Sequence, residues 1–473
     1  MTSCTASLDL FILTFNAAKH QVHIPTFGHY LRDAFAQNAT SLPELVVVCL
    51  QEMSPLAKGF IGSYMISPYF QSFESAVNLA ASCFIAEQDV QTRPKDPPYT
   101  LVTTRNVGMT GIMLFARDPA ALLNLQSAGV GFGAGDMGNK GAVGLRMLFT
   151  KKDAQGETRH TELTFVSTHL AAMEWNLEKR NRNWESIVSG LLFEDPRKLL
   201  GTPSTQSTPH TSGSTDETET LLSQDLRQKA LHNITIYKPG SHLFVGGDLN
   251  YRISETSPAS DSVFPDLDPE SPNYFTRFLA QDQLMAEKAA GRTLHGLSEA
   301  TITFPPTYKL ALTDDRDVLA QTRTGRPTVD AISWKWAPHR WPGWCDRILY
   351  LDVPRWAFKG AAKEESKMKT VAYDALPALR TSDHKAVFLR LAVPILEPSR
   401  LAPPDEVRPS ERSDPRVRLP YAVDLEAWEH RAQVKKWESL IGWSMLASQS
   451  KQGIAIFMTL LIVGLGTWWY WSQ

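Results

Sequence analysis

The fold is decided by short apolar runs that end abruptly in polar residues, and the clearest example is LFVGGDLNYRI at residues 243–253. Its apolar part, 243–246, has the length of a buried β-strand, and it stops at Gly247 and Asp248, residue types that commonly bound strands. Comparable runs, each predicted to be a strand, occur at residues 10–15, 45–50, 111–115, 141–149, 163–168, 347–351 and 386–391.

Amphipathic segments lie between these runs and predict helices at residues 24–37, 173–192 and 275–290. Strands and helices that alternate along one chain predict a large α/β domain, with two packed β-sheets and helices outside. We place this domain at residues 1–394. Within it, residues 200–223 consist mainly of Ser, Thr, Gly, Pro and acidic residues, and this composition predicts a disordered insertion.

The composition excludes several classes of protein. Among the 473 residues, 48 Lys and Arg face 50 Asp and Glu, so the net charge is only -2. Because nucleic-acid binding usually needs a basic surplus, we expect no nucleic-acid partner. The cysteines form no Cys-x-x-Cys pair, which argues against a zinc site and a disulfide scaffold and fits a reducing compartment. They are Cys4, Cys49, Cys83 and Cys345.

Polar residues suited to metal-assisted hydrolysis lie at the predicted strand ends. Asn16 and Glu52 offer the oxygen ligands that Mg²⁺ prefers. Histidines and carboxylates at the other strand ends can supply an acid/base pair and a group that orients water. These further candidates are His169, Asp248, Asn250, Asp346, Asp383 and His384. One such residue is usually structural, but so many in one chain predict a site that hydrolyses phosphate esters.

Basic residues lie beside the same polar corners and predict a substrate with several phosphates. They are Lys140, Arg252, Lys309 and Arg347. The glycines of residues 133–138 match the spacing G-x-G-x-x-G, but they lead into a predicted strand. A dinucleotide-binding loop would lead into a helix, so we reject that interpretation.

Taken together, the motifs resemble the inositol polyphosphate 5-phosphatases of the endonuclease/exonuclease/phosphatase superfamily. The resemblance covers about residues 8–391 and is specific, since GDLNYR and WCDRIL distinguish these phosphatases from the nucleases of the superfamily. In chain order the motifs are GNKGAV (138–143), THLAA (168–172), GDLNYRI (247–253), FPPTYK (304–309), PGWCDRIL (342–349) and SDHKAV (382–387).

The resemblance implies a four-layer α/β sandwich and a Mg²⁺-dependent reaction. Water would attack the 5-phosphate of a phosphoinositide directly, and the expected main reaction converts phosphatidylinositol 4,5-bisphosphate to phosphatidylinositol 4-phosphate. By motif, Asn16 and Glu52 would hold Mg²⁺, and His169 would stabilise the transition state. Asp248 and Asn250 would position the water and the phosphate. The remaining catalytic positions would be Asp346, Asp383 and His384, and the substrate contacts Lys140, Tyr251, Arg252, Tyr308, Lys309 and Arg347.

Several questions stay open at this level. Either Asp248 or His384 can be the general base. The sequence departs from the family pattern at Met173, Asn183 and Ala386, and more widely after Lys309, so the preference among phosphoinositides is open. The alternatives are a nuclease or sphingomyelinase-like phosphodiesterase and an inactive membrane tether that binds inositol phosphates.

The C-terminal part predicts a membrane anchor. The uncharged run 453–471 would extend roughly 28 Å as a helix, close to the hydrocarbon thickness of about 30 Å. Lys435, Lys436 and Lys451 precede it, which predicts a tail anchor with the catalytic domain in the cytosol. We expect the endoplasmic reticulum, with the mitochondrial outer membrane as the alternative.

Two segments connect the catalytic domain to this run. Residues 395–423 are predicted to be a Pro-rich linker that tethers the domain loosely. Residues 424–450 are amphipathic and either lie on the membrane surface or pack on the catalytic domain. We expect a monomer.

Overall fold

Two six-stranded β-sheets form the centre of the protein in the computed structural model, which describes residues 6–88, 96–153, 155–200, 216–313, 332–358 and 367–472. The strands are β1 (Ser7–Asn16), β2 (Leu45–Gln51), β3 (Thr100–Val107), β4 (Thr110–Ala116), β5 (Leu122–Gly131), β6 (Gly141–Lys152), β7 (Thr158–His169), β8 (Ser241–Asp248), β9 (Leu297–Ser298), β10 (Leu310–Leu312), β11 (Trp334–Trp336), β12 (Asp346–Leu351), β13 (Lys369–Ala375) and β14 (Val387–Pro394).

Both sheets are mixed, as short apolar runs without strict alternation suggest. The first sheet has the order β13-β14-β1-β2-β4-β3, and the second has β5-β6-β7-β8-β12-β9. β1 pairs with β2 in parallel, and β7 pairs with β8 in parallel. A further antiparallel pair, β10 with β11, stands apart.

The helices flank the sheets. They are α1 (Ile24–Ala36), α2 (Leu56–Ile61), α3 (Ser67–Gln88), α4 (Leu177–Gly190), α5 (Pro196–Leu200), α6 (Asp216–Ile234), α7 (Thr276–Leu279), α8 (Gln283–Ala289), α9 (Pro398–Leu401), α10 (Ala427–Gln449) and α11 (Lys451–Ser472).

Three apolar clusters show the layering. One lies between the two sheets, where Ile12 and Val47 of the first sheet meet Phe165 of the second. Another lies between the first sheet and helices α1 and α3. The third covers the outer face of the second sheet, where Trp184 of α4 is fully buried. The layers are therefore helix, sheet, sheet and helix, as predicted.

The segment predicted to be a loose linker packs on the domain instead. Leu396 and Leu401 are fully buried against Val353 and Ala357. The guanidinium of Arg416 is buried as well and donates to the backbone carbonyl of Asp352 at 2.6 Å. A Pro-rich sequence can thus be well ordered when its few apolar and basic side chains find partners.

Three further predictions concern the insertion at residues 200–223 and the two C-terminal segments. Most of the insertion at residues 200–223 lies outside the described residues, and its last part begins helix α6. Helix α10 packs on α2, so residues 424–450 pack on the catalytic domain, one of the two alternatives that the sequence left open.

Helix α11 coincides with the predicted membrane span at 453–471. Within the described parts of the chain, no helix is both long and apolar enough to cross a membrane, so that span is not supported.

Candidate active site

Strand pairing brings the polar strand ends together. In the second sheet, His169 at the end of β7 lies opposite Asp248 at the end of the parallel strand β8. Asp346 begins the antiparallel strand β12 and also lies opposite Asp248. The pairing of the strands therefore places the three residues next to one another on neighbouring strands.

The first sheet contributes from the other side. β1 and β2 run in parallel with Asn16 opposite Gln51, so Asn16 and Glu52 leave the sheet at the same edge. The Asn16 amide donates from Nδ2 to Oδ2 of Asp248 at 2.9 Å and so connects the two sheets. Glu52 and Asn250 have positive φ angles of 43° and 56°. Such backbone costs on the order of 1 kcal/mol and is common at functional sites.

A buried histidine and two carboxylates form the centre of the site. Nδ1 of His384 pairs with Oδ2 of Asp346 at 2.9 Å, and Nε2 of His384 lies 3.9 Å from Oδ2 of Asp248. Nε2 of His169 lies 3.2 Å from the same Asp248 oxygen. The backbone N–H of Asn250 donates to Oδ1 of Asp248 at 3.1 Å. Asp248 is thus held in one orientation by contacts to both of its oxygens.

The charges of this centre are set by burial and by close partners. Burial opposes the imidazolium of His384, but Asp346 and Asp248 outweigh it and raise the pKa of His384 to about 9. Burial likewise opposes ionisation of Asp248, yet His384 and His169 outweigh it and lower the pKa of Asp248. Near neutral pH, His384 is therefore protonated and Asp248 ionised.

Basic groups converge beside Asp248. Nζ of Lys140 contacts Nε2 of His169. Burial lowers the pKa of Lys140 to about 8, against the attraction of Asp248 and Glu52. The Arg252 guanidinium lies 4.3 Å from the centre of the Tyr308 ring, and its buried Nη1 has no hydrogen-bond partner among the described residues. Closely spaced donors of this kind are suited to binding an anion.

These side chains border one cavity of about 310 Å³. It contains all the predicted site residues except Asp346, Tyr251 and Arg347. The lining residues are Asn16, Ala18, Lys19, Glu52, Lys140, His169, Ala172, Asp248, Asn250, Arg252, Tyr308, Lys309, Asp383 and His384. Asp346 lies directly behind His384, and its Oδ2 pairs with Nδ1 of that ring.

The prediction that Arg347 contacts the substrate is wrong. Its side chain is fully buried and pairs with Asp282 at 3.0 Å and with Glu299 at 2.6 Å. Side chains alternate between the two faces of a strand, so Arg347 points away from the site that its neighbour Asp346 serves. Its guanidinium therefore stabilises the fold through these buried ion pairs.

The prediction for Tyr251 is corrected in the same way. Its ring is fully buried in the outer cluster of the second sheet. Its hydroxyl donates to Asn181 at 2.7 Å and lies 2.9 Å from Oγ1 of Thr293. Tyr251 therefore supports the backbone between Asn250 and Arg252 and does not line the cavity.

Lys19 is the site residue that the sequence-based prediction missed. Its ammonium lies 3.2 Å from Oε2 of Glu52, and its side chain is half exposed. The available signal was a basic residue three positions after Asn16, in the loop that follows β1. That signal is weak, because lysines are common in surface loops.

The site fits a divalent cation. Asn16, Glu52 and Asp248 line the cavity, and their side chains carry oxygen, the ligand type that hard cations prefer. The oxygen of Asn16 also accepts from the backbone N–H of Ala18 at 3.1 Å. Asp248, Asp346 and His384 also have potential ligand atoms within 4.8 Å of one another. Since Asp346 already pairs with His384, the oxygen ligands around Glu52 are the better match for a hard cation.

The charge on His384 predicts a pH dependence of stability. The unfolded chain loses this proton near pH 6.5, and the folded protein keeps it up to a pKa of about 9. The stabilisation is therefore complete below pH 6.5 and is lost as the pH rises towards 9. Urea unfolding with a chelator present should show a loss of roughly 1–2 kcal/mol between pH 6.5 and 8.

The control for this prediction is His384→Asn, which should flatten the dependence. Burial lowers the pKa of Lys140 and Lys385 to about 8, so both lysines oppose the effect of His384 in the upper part of this range and more strongly above it. The difference between the unchanged protein and the variant therefore measures the contribution of His384. An equal slope in the unchanged protein and in the variant would contradict the assignment.

Sequence comparison places this arrangement among known proteins. The sequence model of the Endonuclease/Exonuclease/phosphatase family 2 matches residues 13–390. The chain is 26% identical over 392 residues to the polyphosphatidylinositol phosphatase INP53 of Saccharomyces cerevisiae, covering 81% of this chain and 26% of that protein.

Two other relatives have a similar level of sequence identity to this chain. Identity is 27% over 282 residues to the type II inositol polyphosphate 5-phosphatase 14 of Arabidopsis thaliana, covering 57% of this chain and 21% of that protein. It is 26% over 328 residues to synaptojanin-1 of Homo sapiens, covering 65% and 16%. The matches thus span about a quarter or less of the length of these relatives.

A solved structure shares the fold. It is the inositol polyphosphate 5-phosphatase domain of SPsynaptojanin in complex with inositol (1,4)-bisphosphate and a calcium ion. The TM-score is 0.52 at 20% identity, with 92% of this chain and 93% of that chain covered. Because the family match runs from β1 to β14 and includes every residue that lines the cavity, the chain belongs to the Endonuclease/Exonuclease/phosphatase family 2.

Proposed function

We propose that the protein is a Mg²⁺-dependent phosphatase that removes the 5-phosphate from phosphoinositides, mainly from phosphatidylinositol 4,5-bisphosphate. The observation that carries the proposal is the cavity in which Asp248 and His384 meet Lys140, Arg252 and Lys309. The similarity to curated inositol polyphosphate 5-phosphatases supports the choice of substrate class.

The cavity suits a small ring with several phosphates. Its volume of about 310 Å³ is at the lower end of ligand pockets. Nζ of Lys309 lies 2.5 Å from Oδ2 of Asp383 and 5.3 Å from the Tyr308 ring centre. Lys309 and Arg252 flank Tyr308, so a second phosphate on the ring can bind there while the first faces Asp248.

The charges of the centre support a direct attack by water. Asp248 accepts a proton from the attacking water, whose oxygen bonds to phosphorus as the bond from phosphorus to the 5-oxygen breaks, and the 5-oxygen takes up a proton from solvent and leaves as the hydroxyl. His384, held by Asp346, keeps Asp248 ionised, and Lys140 with His169 stabilises the negative charge that develops on the phosphoryl oxygens. The lining residues include no Ser, Thr or Cys, and the proposed nucleophile is water, with Asp248 as its base and not as a covalent nucleophile.

The proposed cofactor is Mg²⁺, with Asn16 and Glu52 as protein ligands. Bound there, the cation would supply positive charge to the phosphate oxygens of the substrate. Glu52 is prepared for this role because burial opposes its charge, but His169, Lys140 and Lys19 outweigh burial and lower the pKa of Glu52.

Phosphate release tests the proposal directly. The full chain with Mg²⁺ should release inorganic phosphate from vesicles that contain phosphatidylinositol 4,5-bisphosphate, and excess EDTA should abolish release until Mg²⁺ is restored. Parallel reactions with DNA and with sphingomyelin separate the alternatives. Cleavage of either one, with no phosphate from the inositol lipid, would favour a phosphodiesterase. Binding of the lipid without any turnover would favour an inactive tether.

The location of the protein is a separate proposal. We propose that it acts on the cytosolic face of the endoplasmic reticulum, with the mitochondrial outer membrane as the alternative, because its proposed substrate is a membrane lipid. Imaging the full chain with a fluorescent tag at its N-terminus, beside markers of both membranes, tests this. A uniform cytosolic signal would contradict it.

A further inference from the structure

Helix α10 lies beyond the residues that match the family, yet it packs closely on the domain. A Cβ on Gly442 would lie 2.9 Å from the carbonyl oxygen of Ala57 in α2, so the two helices approach at backbone distance. The indole of Trp428 donates to the carbonyl of Leu192 at 3.0 Å. One face of α10 is thus part of the folded domain.

That face carries a buried carboxylate, Glu438. Its side chain is fully buried and pairs through both oxygens with the Arg431 guanidinium, at 2.8 Å and 3.0 Å. Oε1 also accepts a hydrogen bond of 2.7 Å from the backbone N–H of Gly138. A buried carboxylate is costly without partners, and here a bidentate arginine and a backbone amide supply them.

The amide that Glu438 binds belongs to the loop at residues 132–140, which leads to Lys140. The carbonyl of Gly138 accepts from the N–H of Met109 at 3.0 Å, so this residue is held from both sides. A Cβ on Gly138 would lie 2.6 Å from the backbone nitrogen of Gly108, which leaves no room for a side chain. Two residues later, Lys140 reaches His169 in the cavity.

We propose that Glu438 is a positioning residue for the phosphate site. It fixes the Gly138 peptide between α10 and the turn at Gly108, and thereby holds Lys140 where a phosphate group of the substrate binds. Helix α10 then contributes to the geometry of the active site. The inference rests on the proposed function and deepens it.

A double-mutant cycle separates positioning from general stabilisation. Glu438→Ala should lower kcat/KM for phosphate release by roughly 10- to 100-fold in the full chain, but less than about twofold when Lys140 is already replaced by Ala. Glu438→Gln, which keeps an oxygen for the Gly138 N–H, should recover part of the activity. Equal losses in both backgrounds would overturn the inference.

A matched control lies on the same helix. Glu429 is exposed and forms an ion pair with Arg197. Glu429→Ala should leave kcat/KM within about twofold of the unchanged protein, as expected for an exposed pair. If Glu429→Ala lowers activity as much as Glu438→Ala, the effect belongs to the helix in general and the proposal is wrong.

Hydrogen exchange gives a readout that does not depend on catalysis. Should Glu438→Ala fail to fold, Arg431→Met with Glu438→Leu removes both charges and still deletes the acceptor for Gly138. Mass spectrometry should show at least tenfold faster amide exchange in residues 132–140, with β12 unchanged. If the unchanged protein releases no phosphate, the proposed function fails. The exchange rates then show by themselves whether Glu438 holds the loop at residues 132–140. Unaltered exchange in this loop would overturn the inference.

Discussion

Replacing Asp248 by Asn should lower kcat/KM for phosphate release by about 10²–10⁴-fold, the range expected for loss of a general base. The side chain is buried and contacts Asn16, His169 and the Asn250 amide, and Asn has the same shape. The variant loses the charge that accepts the proton of water. It also replaces one oxygen that accepts from Asn16 or from the Asn250 N–H with an amide NH₂, so its urea midpoint is measured alongside the kinetics. Steady-state kinetics on lipid vesicles measure the loss.

A structural aspartate is the control for this prediction. Asp282 is also buried, but it pairs with Arg347 outside the cavity. Asp282→Asn should lower the urea midpoint and leave kcat/KM of the folded fraction within a few-fold. If Asp248→Asn retains more than about a tenth of the activity, Asp248 is not the base, and His384 would have to be reconsidered for that role.

Replacing Arg347 by Met should destabilise the fold by about 3–5 kcal/mol without changing KM. The guanidinium binds Asp282 and Glu299 in the interior, and its removal leaves two carboxylates without their cation. Urea unfolding measures the loss of stability. Kinetics of the folded fraction show whether substrate binding is affected.

Arg252→Met is the matched comparison, since it replaces the same residue type within the cavity. It should lower kcat/KM by roughly tenfold or more, because it removes a charge-assisted contact to phosphate. Its cost in stability should be smaller, since within the described ranges Arg252 donates to Asn250 and forms no ion pair like that of Arg347 with Asp282. If Arg347→Met instead raises KM and leaves the urea midpoint unchanged, the structural assignment of Arg347 is wrong.

Eight strands and the polar residues at their ends could be predicted from the sequence because each is a local apolar pattern. They are β1, β2, β4, β6, β7, β8, β12 and β14, whereas β3, β5, β9, β10, β11 and β13 were not predicted. A buried strand such as β2 is apolar from residue 45 to residue 50, and the polar residues Gln51 and Glu52 mark its end. Helix α3 is long but was not predicted. Its buried face consists largely of Ala and Phe, and the contrast in hydrophobicity between this face and the exposed face is weak. The helix predicted at 275–290 divides into α7 and α8, with Asp282 capping the second.

The positions of side chains in the folded protein could not be predicted from local patterns. Asp346 and Arg347 are adjacent in a motif, but alternation along β12 sends one towards the site and the other into the interior. The contact from Glu438 to Gly138 joins residues that are 300 positions apart. Nothing local in the sequence of α10 indicates which loop it holds. Motifs identify which residues matter, and only the fold assigns their roles.

The identity of the lipid product tests the central claim most directly. The full chain is incubated with Mg²⁺ and phosphatidylinositol 4,5-bisphosphate vesicles, with Asp248→Asn as the blank, and the lipid products are separated by position of phosphate. We predict phosphatidylinositol 4-phosphate and one equivalent of inorganic phosphate. Phosphatidylinositol 5-phosphate, a released inositol headgroup, or an unchanged lipid in the presence of folded protein would contradict the claim.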